Sequence, residues 1–337
     1  MVFWETQLYS SFCSYLCLIV KEGQFLIILG VILIDILELY LRLVGLIMIG
    51  FILGRKLPGS ASISIGQFLY WVGVPIGIIG FLLQTDLSGQ IWIAPIIAHL
   101  AIFIGALLAW LRIKVKGHFT NSVPQRATQG SLILAAMVGN TGYLGFPITL
   151  AMVGKEYFAW ALFYDMLGSL FGAYGLGVVL AAKFGNNIQN RIQVAKVIFI
   201  NPALWSFGFG LLLRQVALPE SVVFFLEKLA WSTVALSLML IGMRLSQLNS
   251  WTKLPQAGSS IFIKMVLVPL ILSSTLSLFG VTGKAAQVIV LQMAMPPALA
   301  TLVIAETFDL DRDLAVTALA MGMIVLLFTL PLWLWLF

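Results

Sequence analysis

The chain predicts an all-α membrane protein of ten transmembrane helices, set out as two five-helix halves of opposite sense with a broken fourth and a broken ninth helix, behind an extra N-terminal segment. Three observations carry this. The 337 residues are 61% hydrophobic and only 9% charged, with a mean hydropathy of +1.05, which lies outside the range of soluble domains. Apolar runs long enough to cross a bilayer follow one another with little between them. Two of those runs carry helix breakers where the hydrocarbon is driest: MVGNTGYLGFP, Met137 to Pro147, and QMAMPPALA, Gln292 to Ala300. Freed main-chain groups at that depth are tolerated only where protein buries them or a wet cavity receives them. Two such interruptions in corresponding places of two halves are a sequence pointer to a carrier's substrate site.

Residues 1–30 read as an interfacial or tucked-in segment. Leu8 to Val20 is apolar but too short to span, and Lys21-Glu22 interrupts it. A signal peptide is not expected, because the basic n-region and the small-residue cleavage site are missing. Cys13 and Cys17, four apart on one helix face, read as two small apolar side chains rather than a disulfide or a metal site.

The first half, 31–184, holds Val31 to Gly54, Ile63 to Thr85, Ile91 to Ile113, Gly130 to Val153 and Tyr157 to Phe184. A cytoplasmic linker, 185–196, opens with GNNIQNR and is too short to hide a soluble domain. The second half, 197–337, holds Val197 to Leu213, Val222 to Leu245, Ser259 to Phe279, Ala285 to Thr307 and Leu314 to Phe337. Pro95 and Pro269 in the third spans, and Pro147 and Pro296-Pro297 in the fourth, are matching landmarks of a duplication.

A net charge of +6 would suggest nucleic acid in a soluble chain. Here it reports topology, and no nucleic acid is expected. Arg55, Lys56, Arg112, Lys114, Lys116, Arg126, Lys183, Arg191, Lys196, Arg244, Lys253 and Arg312 fall in alternate connections, while the others hold Lys155, Arg214, Lys284 and Lys228. The positive-inside rule then puts both ends of the ten-helix core outside the cytoplasm. An odd number of spans per half is the condition for an inverted repeat.

Pro147 lacks an N–H and disfavours helix at Phe146, so the fourth span is expected to stop near Val138 and restart at the proline. The restart offers N–H groups and partial positive charge to a carboxylate, with Asn140 and Thr141 as further donors. Gly139, Gly142 and Gly145 let the main chain turn and a ligand approach it. The ninth span repeats the device at Met295, Pro296 and Pro297, with Gln292 one turn earlier. Substrate binding is therefore placed on Asn140, Thr141, Gly142, Gly145, Pro147, Gln292, Met295, Pro296 and Pro297. Asp165, deep in the fifth span, is either a proton-coupling group or a hydrogen-bonded structural acid. His99 in the third span is either a relay partner to it or a packing residue. Lys264 is expected to snorkel to the cytoplasmic surface, without a transport role. Asp35, Glu38 and Arg42 read as a self-neutralising helix cluster, Asn201-Pro202 as a helix start, and the acids from Glu306 to Asp313 as caps and solvated ends.

GNTGYLGFPI in the fourth span, NPALWSFGFGLLL opening the sixth, and MPPALATLVIAETFDLDRDLAVTALA from the ninth into the tenth resemble the auxin efflux carrier family of permeases, in that order over roughly residues 35 to 337. The resemblance implies a ten-helix inverted repeat whose broken fourth and ninth helices cross. It also implies a scaffold of the first, second, sixth and seventh helices, a homodimer through that scaffold, and transport of small organic anions. The chain departs from the pattern in its N-terminal segment, in Ala235 where many relatives carry a proline, and in lacking a long cytoplasmic loop. That last departure resembles compact bacterial-type members and implies the inner membrane of a bacterial cell.

The function expected is a secondary carrier of a small organic anion, working by alternating access with the substrate held where the broken helices cross. The alternative is a sodium-coupled symporter of the bile acid type, less favoured because QMAMPPALA offers few oxygen ligands. An intramembrane enzyme using Asp165 needs a second carboxylate deep inside a later span, whereas Glu227 and Glu306 fall toward the ends of theirs. No catalytic residue, cofactor or metal is expected.

Overall fold

The apolar runs become helices because a main chain in lipid must satisfy its own N–H and C=O groups. The computed structural model describes residues 41, 44–85, 87, 90–120, 124–185, 200, 202–246 and 253–337. The expected N-terminal segment 1–30 with Cys13 and Cys17, the Asp35, Glu38 and Arg42 cluster, Asn201 and most of the linker 185–196 lie outside these residues. Leu46–Phe337 forms one compact unit.

Every regular element among the described residues is helical: α1 (44–56), α2 (Gly59–Leu82), α3 (Ile93–Phe119), α4 (Arg126–Met137), α5 (141–152), α6 (Lys155–Phe184), α7 (Pro202–Leu213), α8 (Glu220–Ser246), α9 (Leu254–Ser273), α10 (Gly283–Met293), α11 (Leu299–Thr307) and α12 (Arg312–Leu336). Among these residues six helices, α2, α3, α6, α8, α9 and α12, are long and apolar enough to cross a membrane. Large apolar side chains such as Trp205, Phe225 and Phe328 stand exposed on the outer face, a costly arrangement in water and an ordinary one in lipid.

Small residues let the helices close up, since lipid tails give no hydrophobic drive between them. A Cβ on Gly80 of α2 would stand 2.6 Å from the carbonyl oxygen of Leu226 in α8, and one on Gly242 of α8 would strike the Ile47 carbonyl of α1. α8 itself runs unbroken through Ala235. Arg214, just past α7, donates to the carbonyls of Leu82 and Thr85 and so closes the C-terminal end of α2. Asp311 joins three spans: it caps α12 by accepting from the Leu314 N–H at 3.0 Å, accepts from the Thr128 hydroxyl of α4 at 2.7 Å, and lies 3.3 Å from Lys253 at the start of α9.

Among the described residues there are five π-helical turns: Leu69–Gly73, Asp165–Ser169, Gly172–Gly177 and Ile263–Leu267 interrupt α-helices, and Thr141–Gly145 opens α5. Three have a physical cause in the sequence. Pro75, Pro147 and Pro269 each follow such a turn by two residues. A proline inside a helix removes one N–H and crowds the carbonyl four residues back, and a widened turn relieves that crowding. For Pro269 that carbonyl belongs to Met265, and the indole N–H of the buried Trp333 donates to it at 3.0 Å.

Candidate functional site: two broken helices over a cavity

Glycine at 139 and prolines at 296 and 297 stop two helices side by side. α4 ends at Met137, and Val138 is already extended (φ −109°, ψ 118°). α10 ends at Met293, and the chain stays out of helix until Ala298 (φ −73°, ψ 149°) starts α11. Gly139 and Pro297 face each other as an isolated antiparallel bridge. The Asn140 N–H donates to the Pro296 carbonyl at 2.7 Å, and the Ala298 N–H to the Val138 carbonyl at 3.0 Å. Each broken segment thereby supplies partners that the other lacks.

The restarts open onto one cavity of about 500 Å³. Asn140, Thr141, Gly142 and Tyr143 bring the first turn of α5 to it, and Ala298, Leu299 and Ala300 the first turn of α11. N–H groups in the first turn of a helix have no partner within that helix, so both ends present donors and partial positive charge. The far wall belongs to α2 and α8, with Tyr70, Thr233, Ser237 and Arg244 among its residues. Asp165 and Tyr174 come from two π turns of α6. The Asp165 carboxylate accepts a hydrogen bond from the Thr141 hydroxyl. A Cβ on Gly142 would lie 3.3 Å from its Oδ2, so the acid sits against the opening turn of α5.

Of the residues singled out in the sequence, Gly139, Asn140, Thr141, Gly142, Pro147 and Asp165 line the cavity. Gly145, Gln292, Met295, Pro296, Pro297 and His99 do not. Gln292 is 0% exposed and turns away: its Nε2 donates to the Thr149 hydroxyl at 3.1 Å, and its Oε1 is buried without a partner. Gly145 is there to admit that amide, because a Cβ would collide with it. Met295, Pro296 and Pro297 are buried, and a Cβ on Gly322 of α12 would stand 2.7 Å from the Cβ of Pro296. His99 is half-buried on α3 and donates from Nδ1 to the Pro95 carbonyl at 2.7 Å, so it is tied to its own helix.

Two expectations need correction. The fourth span does not restart at Pro147: helix resumes at Thr141, and Phe146 is itself helical (φ −62°, ψ −56°), because the π turn ahead of the proline absorbs the steric conflict. Lys264 does not snorkel. It is 2% exposed, its Nζ donates to the Met293 carbonyl at 2.8 Å, and its Cε would lie 2.8 Å from a Cβ on Gly139. The Lys264 amino group thus meets the C-terminal, partially negative end of α10, as the Asp165 carboxyl meets the N-terminal, partially positive end of α5.

The sequence reading missed Tyr70, Tyr143 and Tyr174, and it took Arg244 for a topology marker. The usable signal was that Arg244 falls inside an apolar run rather than beyond it.

Helical spans with lipid-facing apolar surfaces, interrupted around a cavity to which Asn140, Thr141 and Asp165 bring polar groups, define an integral membrane protein of the transporter class. Residues 31–334 match the family described as membrane transport protein, and the chain belongs to that family, the auxin efflux carrier family of permeases. It is 28% identical over 301 residues to an uncharacterized transporter of Methanothermobacter thermautotrophicus, covering 88% of this chain and 96% of that protein. It is also 30% identical over 217 residues to the uncharacterized transporter MJ1031 of Methanocaldococcus jannaschii, covering 61% of this chain and 68% of that one.

Proposed function

We propose that this transporter is a secondary carrier of a small organic anion, working by alternating access with the substrate held beside the crossing. The observation that carries the reading is the pair of main-chain hydrogen bonds that locks the two breaks together, with both helix restarts facing one cavity. The proposed topology is ten crossings in two inverted five-helix halves, 31–184 and 197–337, with both ends of that core outside the cytoplasm. In support, the fourth and ninth apolar runs each yield a pair of short helices around a break. The cavity also lies between α2, α7 and α8 on one side and α5, α6 and α11 on the other. Movement of the second group against the first would expose the cavity to each face in turn. A homodimer through the scaffold helices and residence in the cell membrane complete the proposal.

Sodium coupling is less favoured. Lys264 Nζ already occupies the carbonyl end of α10, donating to Met293 where a metal cation would otherwise find an oxygen ligand. Enzyme chemistry on Asp165 is less favoured too, since no other carboxylate lines the cavity among the described residues.

Uptake of labelled organic acids into vesicles, with and without a pH gradient and with sodium replaced by choline, tests the reading. Carriage that follows the acid gradient and ignores sodium is expected; carriage that requires sodium would replace this proposal by the symporter. Cysteine labels placed in the connections after Arg112 and after Phe184 should react only from the cytoplasm, and labelling from outside would overturn the topology.

A further inference from the structure

The cavity is open at one end and sealed at the other. Among its lining residues, Ile63 near the start of α2 and Val303 of α11 are about half exposed, whereas Phe81 near the end of α2 and Phe146 of α5 are buried. Past those two rings the protein closes over. The Phe158 ring of α6, 0% exposed, lies 5.2 Å from Phe81 and 5.1 Å from Phe146, centroid to centroid. Trp231 of α8 meets Phe81 edge to face at 5.4 Å, and Phe163 of α6 meets Phe207 of α7 at 5.3 Å. The seam runs between the two groups of helices that flank the cavity: Phe81, Trp231 and Phe207 stand on α2, α8 and α7, and Phe146, Phe158 and Phe163 on α5 and α6.

A polar strap lies beyond the rings. Gly154, at φ 101° and ψ 168°, turns the chain from α5 into α6 in a conformation that favours glycine. The next residue, Lys155, reaches back across the seam. Its Nζ donates to Gln84 Oε1, just past α2, at 3.1 Å, and lies 3.9 Å from Glu227 of α8. The Gln84 anchor is held in place, because Arg214 donates to the carbonyls on either side of it, Leu82 and Thr85.

We propose that seam and strap together are the outer gate of this carrier, shut in a structure whose cavity faces the cytoplasm, so that opening to the outside parts Lys155 from Gln84 and Glu227 and Phe158 from Phe81. This rests on the carrier reading and the topology above, which put the turn between α5 and α6 outside the cytoplasm and the starts of α2 and the end of α11 toward it. The two layers differ in strength. Lys155 is over half exposed, so its contacts hold weakly and release readily. The rings are buried, and their contacts carry most of the closure. Contacts present in only one of two states set the balance between those states by what they contribute.

The test uses the full chain with Cys13→Ser and Cys17→Ser, in sealed vesicles, with Ser237→Cys on the cavity wall as reporter and a membrane-impermeant maleimide applied to one face at a time. The reporter should react readily from the cytoplasmic face and slowly from the outer one. Lys155→Ala should raise the outer rate about two- to fivefold, the worth of an exposed ion pair, and Phe158→Leu about three- to tenfold, the worth of the lost ring pairs. The double variant should show roughly the product, and Lys155→Arg should stay near the parent. A packing role alone would lower the melting temperature and leave the ratio of outer to cytoplasmic labelling unmoved; that result in both variants overturns the gate. Parent labelling that is equal from the two faces, or faster from outside, overturns it as well, and the labels after Arg112 and after Phe184 show whether the topology fell with it. Uptake of acids with unmoved labelling removes the gate alone. Labelling that shifts as expected while no acid is carried keeps the gate and removes the organic-anion reading.

Discussion

The two breaks lie against each other yet live in different surroundings. The fourth span opens onto a cavity, carries the polar run Asn140-Thr141 and faces a carboxyl group. The ninth is enclosed at Met295, Pro296 and Pro297, which α12 backs through Gly322, and an amino group closes its carbonyl end. Repetition of a backbone device therefore does not repeat its use. One break is built to be wetted and touched, the other to hold it in place.

That contrast can be broken most directly at Lys264. Lys264→Ala should lower stability by roughly 3 to 5 kcal/mol, because it strands the Met293 carbonyl and leaves a void, whereas Lys264→Met should lose only about 1 to 3 kcal/mol; apparent melting temperature and monodispersity in detergent are the measures. Next comes Gly322→Val. Its added methyls have nowhere to go against Pro296 and Pro297, so about 1 to 3 kcal/mol should be lost. Gly142→Ala, with only the Asp165 carboxylate 3.3 Å away, should fold and show its defect in transport. Smaller still on folding is Asn140→Ala, whose main-chain bond to Pro296 does not need the side chain: melting should be unchanged while anion affinity falls about tenfold, the worth of one hydrogen bond to a charged group. Asp165→Asn in the same assay should flatten the pH profile of uptake if the acid couples protons, and an unaltered profile would leave it a structural acid.

A last, pH-dependent effect belongs to Asp311, away from both breaks. Burial works to raise its carboxyl, but the hydrogen bonds from Thr128 and the Leu314 N–H and the nearby Lys253 outweigh that and hold it below the usual range. A folded value below the unfolded one stabilises the protein at every pH above about 4 and loses that contribution as pH falls through the folded value. Asp311→Ala should therefore cost about 1 kcal/mol at neutral pH, chiefly as a lost cap. The gap from wild type should close only in acid, which pH-dependent melting checks.

Much of the contrast was readable in advance, and the unread part has a cause. Glycines and prolines in an apolar run announce where a helix must stop, so Val138 and the stretch before Ala298 were legible. Side-chain direction was not, because it depends on helical phase and on what packs behind. Gln292 stands one turn before a break, yet its amide goes to Thr149. Lys264 looked close enough to an end to reach water, but α9 places it against Gly139 and the α10 terminus. Arg244 was counted with the basic connections because the positive-inside rule scores charges near span ends without asking which way they point.

The π turns carry a consequence of their own. Each inserts one residue into the winding, and one residue is worth about 100° of rotation around an α-helix. Downstream of Gly73, Ser169, Gly177 and Leu267 the helical wheel is therefore dialled forward relative to the helix before it. A single rod can then show the interior one meridian in its lower part and a different meridian in its upper part. Deleting one residue from any of these turns would spare the hydropathy profile almost unchanged and still swing every later side chain about a quarter of the way round.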